Sequence, residues 1–189
     1  MKKLLAAASI AAISSGYAAA DSDTLVIHVA GEANGVVEIE LFPEVAPLHV
    51  ERIKNLAREG HYDNIVFHRV IEGFMAQTGD VQFGAKDVGI PHMAGRGGSD
   101  YPDLPAEFSD IAYVRGIVGM ARAQNPNSAN SQFFIMFDDA PFLDGQYTVV
   151  GRVVSGQDVV DAIKRGDSAR NGAVVAPDFM ASVRIKDDE

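Results

Sequence analysis

In Phe67–Asp80 (FHRVIEGFMAQTGD) an arginine stands between bulky apolar residues. Strand periodicity puts Phe67, Arg69 and Ile71 on one face and His68 and Val70 on the other. A guanidinium in that company costs several kcal/mol unless it lines a wet cleft, meets a partner or snorkels to the surface. Gly73 breaks the run, and Phe74, Met75 and Gln77 follow, a mix of apolar and amide side chains of the kind that lines ligand pockets. Some fifty residues on, Gly119–Phe137 (GMARAQNPNSANSQFFIMF) uses the same materials. Its period of two places Gln132, Phe134 and Met136 on one face and Phe133, Ile135 and Phe137 on the other. Two such faces brought together make a shallow apolar pocket with hydrogen-bonding groups at its rim.

Other chemistries lack their residues. The chain has no cysteine, so disulfides and thiol catalysis are out. Its five histidines, His28, His49, His61, His68 and His92, show no H-E-x-x-H spacing, and no metal site is expected. There is no G-x-S-x-G for a serine hydrolase. Gly95-Arg96-Gly97-Gly98 lacks the following Lys-Ser/Thr and helix start of a phosphate loop. His68, on the strand face opposite Arg69, is expected to be a hydrogen-bonded barrel histidine.

The motifs FHRVI-GFM-Q-GD, GMAR with SQFF (Ser131–Phe134), and FLDGQY (Phe142–Tyr147) occur in order, and together they resemble the cyclophilin family of peptidyl-prolyl cis–trans isomerases. The resemblance runs from about Thr24 to the C-terminus. It implies a closed eight-stranded antiparallel β-barrel, all-β in class, capped by two α-helices, and an enzyme that rotates Xaa-Pro bonds without a cofactor. It also implies roles. Arg69 is the catalytic arginine, and Gln77 and Gln132 bond the substrate backbone or orient Arg69. Phe74, Met75, Phe134 and Leu143 form a socket for the proline ring. The backbone at Ala121 and Arg122 holds the residue before the proline, and the glycine-rich turn at residues 95–98 lies beside the groove.

Several positions depart from the family's pattern. Phe142 stands where many eukaryotic members have tryptophan, Tyr147 where they have histidine, and Arg122 where asparagine is common. Both Phe142 and Tyr147 remain candidate substrate contacts. The lost indole N–H predicts weaker cyclosporin binding. The expected partners are proline-containing segments of client polypeptides. A module that binds proline peptides, or a holdase, with incidental catalysis is the alternative reading.

The elements that must position these residues are legible in outline. Thr24–Val29 and Gly35–Leu41 alternate as strands around an Asn-Gly turn signal. Val50, Ile53, Leu56 and Ala57 recur at helical spacing through 46–59, and Gly60 stops that helix. Further strands are expected at Tyr113–Met120, Gln132–Phe137, Tyr147–Val154 and Met180–Ile185. A short helix with Val159, Val160 and Ile163 on its apolar face follows a capping box of Ser155 and Asp158. Val81–Phe108 is rich in Gly and Pro and reads as loop, with Phe83–Ala94 as an insertion of unassigned role.

At 189 residues and 47% hydrophobic content, one compact domain over 21–189 is expected. Residues 1–20 read as a signal peptide: Lys2-Lys3, an apolar stretch over Leu4–Ile13, and Ala18-Ala19-Ala20 before a cut at Asp21. That address is the bacterial periplasm. The 16 basic side chains less Lys2 and Lys3 leave 14 against 26 acidic ones, a net charge of −12. Such a surface repels nucleic acid and anionic lipid, so neither nucleic acid nor, after signal removal, a membrane is an expected partner. A monomer is the default.

Overall fold

The structure, a computed structural model, describes residues 22–87 and 92–186, so the signal peptide and part of the Phe83–Ala94 insertion lie outside the described residues. Strands β1 (Thr24–Ala30) and β2 (Gly35–Leu41) form the expected hairpin, with Thr24 opposite Glu40 and Val29 opposite Gly35. Helix α1 (Pro47–Arg58) starts on a proline, whose missing N–H is harmless in the first turn. It buries Val50, Ile53, Leu56 and Ala57 together with β1, β2 and β9 (Phe179–Ile185).

Seven strands complete the antiparallel sheet: β3 (Ile65–Val66), β4 (Arg69–Ile71), β5 (Met75–Thr78), β6 (Ile117–Met120), β7 (Phe133–Met136), β8 (Val149–Ser155) and β9. Their order is β3-β9-β1-β2-β8-β6-β7-β5-β4. The outermost strands, β3 and β4, are consecutive pieces of one segment separated by Phe67 and His68, so the sheet curls round until its ends meet in the same stretch of chain. Among the described residues the expected eight strands are therefore nine. The extra one arises because the Phe67 N–H donates to Asp178 O (2.8 Å) and the Val70 N–H to Gly172 O (2.8 Å), while the Val174 N–H donates to His68 O (3.2 Å). Irregular chain, not a strand, covers this part of the segment.

That break also alters the faces. Phe67 and Val70, expected on opposite sides, both enter the main core, whereas Ile71 packs with a second apolar cluster. β7 keeps its alternation: Phe133, Ile135 and Phe137 face the main core, and Phe134 and Met136 the second cluster. β6 is shorter than expected, because the Ile117 N–H bonds Val114 O (3.1 Å) in a turn through Gly116 at φ +83°.

Helix α2 (Gln157–Ala162) buries Val160, as its periodicity requires, but the capping box does not form. Ser155 is the last residue of β8, and Gly156 (φ +79°) takes the N-cap position without a side-chain bond. A Cβ on Gly156 would lie 2.1 Å from Val36 O, so glycine is needed there for space as well as for backbone angle.

A buried carboxyl group joins the β1–β2 turn to the chain leaving α2. Asp178, 1% exposed, accepts from the N–H groups of Glu32 (2.5 Å), Ala33 (3.2 Å) and Lys164 (2.8 Å). Removing it leaves three donors short of an acceptor. Asp178→Ala is expected to lower folding stability by about 3 kcal/mol, measured by urea unfolding; a loss under about 0.5 kcal/mol would contradict this account.

Candidate active site

The pairing register sets the site residues in file. Arg69 on β4 lies opposite Gln77 on β5, Gln77 opposite Phe134 on β7, and Phe134 opposite Gly119 on β6. Gly119 makes room: a Cβ there would come 2.3 Å from the Tyr113 Oη and 2.7 Å from the Phe134 ring. Tyr113 therefore stacks on Phe134 (centroids 5.8 Å), and Tyr147 meets the same ring edge-on (6.0 Å).

Arg69 is held from two sides. Its Nε donates to Asn171 O (3.1 Å) and its Nη2 to Asn171 Oδ1 (3.1 Å). Nη1 donates to Gln77 Oε1 (3.1 Å) and lies 3.8 Å from the Met75 sulfur. These partners are neutral, and among the described residues no ion pair engages this guanidinium. Partial burial pushes Arg69 below the ordinary arginine value, with Tyr147 acting the other way. Four of its five N–H donors are occupied, and one on Nη2 is left for an incoming group.

The hydrogen bonds continue in one sense from the cation. Gln77 Nε2 donates to Gln132 Oε1 (2.9 Å), Gln132 Nε2 to Gly97 O (2.8 Å), and the Gly97 N–H to Asp80 Oδ2 (3.0 Å). Asp80 is fully buried and also accepts from the N–H groups of Gln82 (3.1 Å), Phe83 (2.9 Å) and Gly95 (2.7 Å). One carboxyl group thus gathers the start and end of the 82–97 loop and fixes the glycine-rich turn beside Gln132.

The remaining expected residues fall into two groups. Met75, Phe134 and Leu143 are buried in the second apolar cluster, with Phe74 and Tyr147 packed against it. Phe142, 64% exposed, leans on Phe74 at 5.5 Å. Two cavities flank this cluster: one of about 500 Å³ bordered by Gln77, Gly97, Ala121, Arg122 and Gln132, and one of about 1110 Å³ bordered by His68, Arg69 and Gln77. The Arg122 side chain bonds Gln146 O (2.8 Å) and covers the Tyr147 ring (4.4 Å). Its backbone N–H and C=O pair with no other backbone group among the described residues. The Ala121 N–H is taken by Gln132 O (2.9 Å).

Two findings correct or extend the sequence reading. Asn171 was not foreseen. Its Asn-Gly neighbourhood marks a left-handed turn (φ +54°), but nothing local tells that its side chain reaches Arg69, 102 residues away. His68 is not a hydrogen-bonded barrel histidine. The break at Phe67-His68 turns it towards the larger cavity with Arg69, and among the described residues neither ring nitrogen has a hydrogen-bond partner. Among the described residues no cluster of three or more His, Asp or Glu side chains is placed to hold a metal ion, and no helix is long and apolar enough to cross a membrane.

An antiparallel sheet curled on itself with an arginine and two glutamines on its outer face defines a class, and sequence relationship agrees. The chain belongs to the cyclophilin type peptidyl-prolyl cis-trans isomerases, whose family model matches residues 24–185. It is 58% identical over 183 residues to a Brucella suis protein named "Probable peptidyl-prolyl cis-trans isomerase", covering 96% of this chain and 92% of that one. It is 36% identical over 143 residues to the peptidyl-prolyl cis-trans isomerase CYP23 of Arabidopsis thaliana, covering 76% and 62%. Among solved structures, cyclophilin AquaCyp293 from Hirschia baltica matches with a TM-score of 0.72 at 27% identity, over 89% of this chain and 75% of that one. A Cryptosporidium parvum cyclophilin type isomerase, crystallised in the presence of the dipeptide Ala-Pro, also gives 0.72 at 27%, over 86% and 98%. The activity is therefore peptidyl-prolyl cis–trans isomerisation.

His68 supplies a pH signature. Burial pushes its pKa down to about 4; Asp80 opposes this and Arg69 adds to it. The unfolded chain takes up this proton near pH 6.5 and the folded one only near 4, so stability is lost as pH falls between those values. Between about pH 7 and pH 4.5, His68→Asn is expected to lose about 2 kcal/mol less than the wild type by urea unfolding. Parallel losses in both proteins would refute a neutral buried His68.

Proposed function

We propose that Arg69 is the catalytic residue and that its unoccupied Nη2 N–H carries the reaction. Rotation about an Xaa-Pro bond has a barrier of about 18–20 kcal/mol because resonance holds the amide flat. No bond need form or break. As the amide twists, its nitrogen becomes pyramidal and recovers a lone pair, and a cation donating a hydrogen bond to that nitrogen favours the twisted form over either planar one. Arginine suits this because it stays protonated and its fork keeps a fixed direction. The observation that carries the assignment is the clamp of neutral partners, Asn171 and Gln77, which aims the guanidinium without cancelling its charge.

Gln77 and Gln132 act as positioning residues in this reading, and Phe74, Met75, Phe134 and Leu143 seat the proline ring, with Phe142 and Tyr147 at the rim. The Arg122 backbone holds the residue before the proline as an added strand would. The enzyme acts on exported polypeptides in the periplasm, as a monomer; the Lys2-Lys3 start, the apolar stretch and the small residues before Asp21 support that address. N-terminal sequencing of protein from a periplasmic extract is expected to begin at Asp21, and retention in the cytoplasm would sink the assignment.

The cis-to-trans rate of a short Ala-Pro peptide tests the catalytic reading. Arg69→Ala is expected to lower kcat/KM roughly a hundredfold or more while remaining folded. Asn171→Ala, which frees the clamp, is expected to lower kcat about tenfold with little change in KM. Equal catalysis by wild type and Arg69→Ala would overturn the role of Arg69, and peptide binding without any catalysis would favour the binding-module reading. For cyclosporin, Phe142→Trp is expected to tighten binding by about tenfold, since it restores an indole donor; nanomolar inhibition of the wild type would contradict that view.

A further inference from the structure

The larger cavity, about 1110 Å³, shares Arg69 and Gln77 with the catalytic site and extends beyond them between the 83–87 and 170–179 segments. Its floor is apolar, with Val66, Val174 and Phe179, and its rim carries Lys86, Arg96 and Arg170 against, among the described residues, a single carboxylate, Asp87. This is an unusual concentration of charge in a chain with 26 acidic and 16 basic side chains. Lys86 pairs with Asp87 (3.3 Å), and several cations elsewhere are matched in the same way: Arg115 with Asp161, Arg152 with Glu40, Lys164 with Glu32, Arg165 with Glu72, and Lys186 with Glu38. Arg96 and Arg170 make no ion pair and no side-chain hydrogen bond among the described residues, although acids outnumber bases in the chain.

We propose that this cavity is a subsite for an acidic side chain of the substrate, carried a few residues after the proline. The proposal rests on the catalytic reading above, because that reading sets the direction of the bound chain. The unpaired backbone of Arg122 borders the smaller cavity and takes the residue before the proline. The chain beyond the proline then crosses Arg69 into the larger cavity. Arg170 adjoins Asn171, which grips Arg69, and all three border this cavity, so the acidic side chain is assigned to the second to fourth residue after the proline, at about 3.3 Å of extended chain each. The planar guanidinium matches a carboxylate in two parallel hydrogen bonds, and the apolar floor takes the side-chain stem. The enzyme is thereby selective for clients with an Asp or Glu downstream of the proline.

The test compares blocked Ala-Ala-Pro-Ala-Ala-Ala peptides with Glu, Gln or Lys at the second or third position after the proline. The purified protein's kcat/KM is measured by magnetisation exchange. At low salt the Glu peptide is expected to exceed the Gln peptide by about five- to tenfold, with Lys below both, and the spread to collapse at about 0.5 M salt. Arg96→Gln with Arg170→Gln should abolish the preference, and the double change to Glu should reverse it in favour of Lys. A glutamate moved before the proline should confer no advantage. Equal rates for Glu and Gln peptides, or a preference that survives charge reversal, would overturn the subsite. Failure of the catalytic reading has a different sign: the Gln peptide itself would not be turned over. In that case binding of the same peptides, followed by amide shifts of Arg96 and Arg170, still decides the subsite, since no difference between Glu and Gln there refutes it.

Discussion

The site depends on one directed line of hydrogen bonds, from the Arg69 guanidinium through Gln77 and Gln132 to Gly97 and the buried Asp80 carboxyl group. Each amide accepts on the side of the cation and donates on the side of the acid. The two ends of the line fix which way both glutamines point, since a flipped amide would set donor against donor. Hydrogen bonds aligned in this way polarise one another and become stiffer than the same bonds taken singly. Arginine and aspartate never touch, so the charge of Arg69 is oriented without being neutralised. A direct ion pair would hold the side chain as firmly but leave little field for a twisting amide.

Around that line the sheet supplies a second kind of order. Its strands sort side chains into two clusters: a large core enclosed by the curled sheet and its helices, and a smaller one of Met75, Tyr113, Phe134, Met136 and Leu143 on the outer side. The smaller cluster is why aromatic and thioether groups can sit beside a guanidinium without exposing a broad apolar patch. Tyr113 and Tyr147 shield two aspects of Phe134, and the missing Cβ of Gly119 makes room for that packing. Asp80 and Asp178 do comparable work in the loops, where each carboxyl group satisfies several backbone donors that no strand can reach.

Much of this was legible from local pattern. The hairpin of β1 and β2, the buried stripe of α1 and the split faces of β7 follow from periods of two and 3.6 that any strand or helix must obey. Arg69, Gln77 and Gln132 stood out because polar groups were embedded in otherwise apolar strands. The misreadings share a cause. The alternation across Phe67-His68 failed because residues 172–178 bond that segment from far along the chain, and Asn171 was invisible for the same reason. Ser155 and Asp158 had the spacing of a capping box, yet β8 claimed the serine first. Four backbone donors converging on Asp80 cannot be read from one aspartate in a Thr-Gly-Asp sequence. Local grammar names the elements, and contacts between distant segments decide where they bend.

The division of Ile65–Ile71 into two short strands has a kinetic meaning. The strand bearing Arg69 lies at the seam where the sheet meets itself, and the seam is sewn by β9 and by residues 172–178. β1 likewise pairs with β9, so the first and last strands of the fold lie side by side. Contacts of such sequence separation make for slow folding, because the loop must close before any contact rewards it. During synthesis, therefore, the arginine remains without its clamp at least until Asn171, 102 residues further on, has been made. Activity arrives as a single late event, and a catalyst of slow conformational steps is itself completed by one.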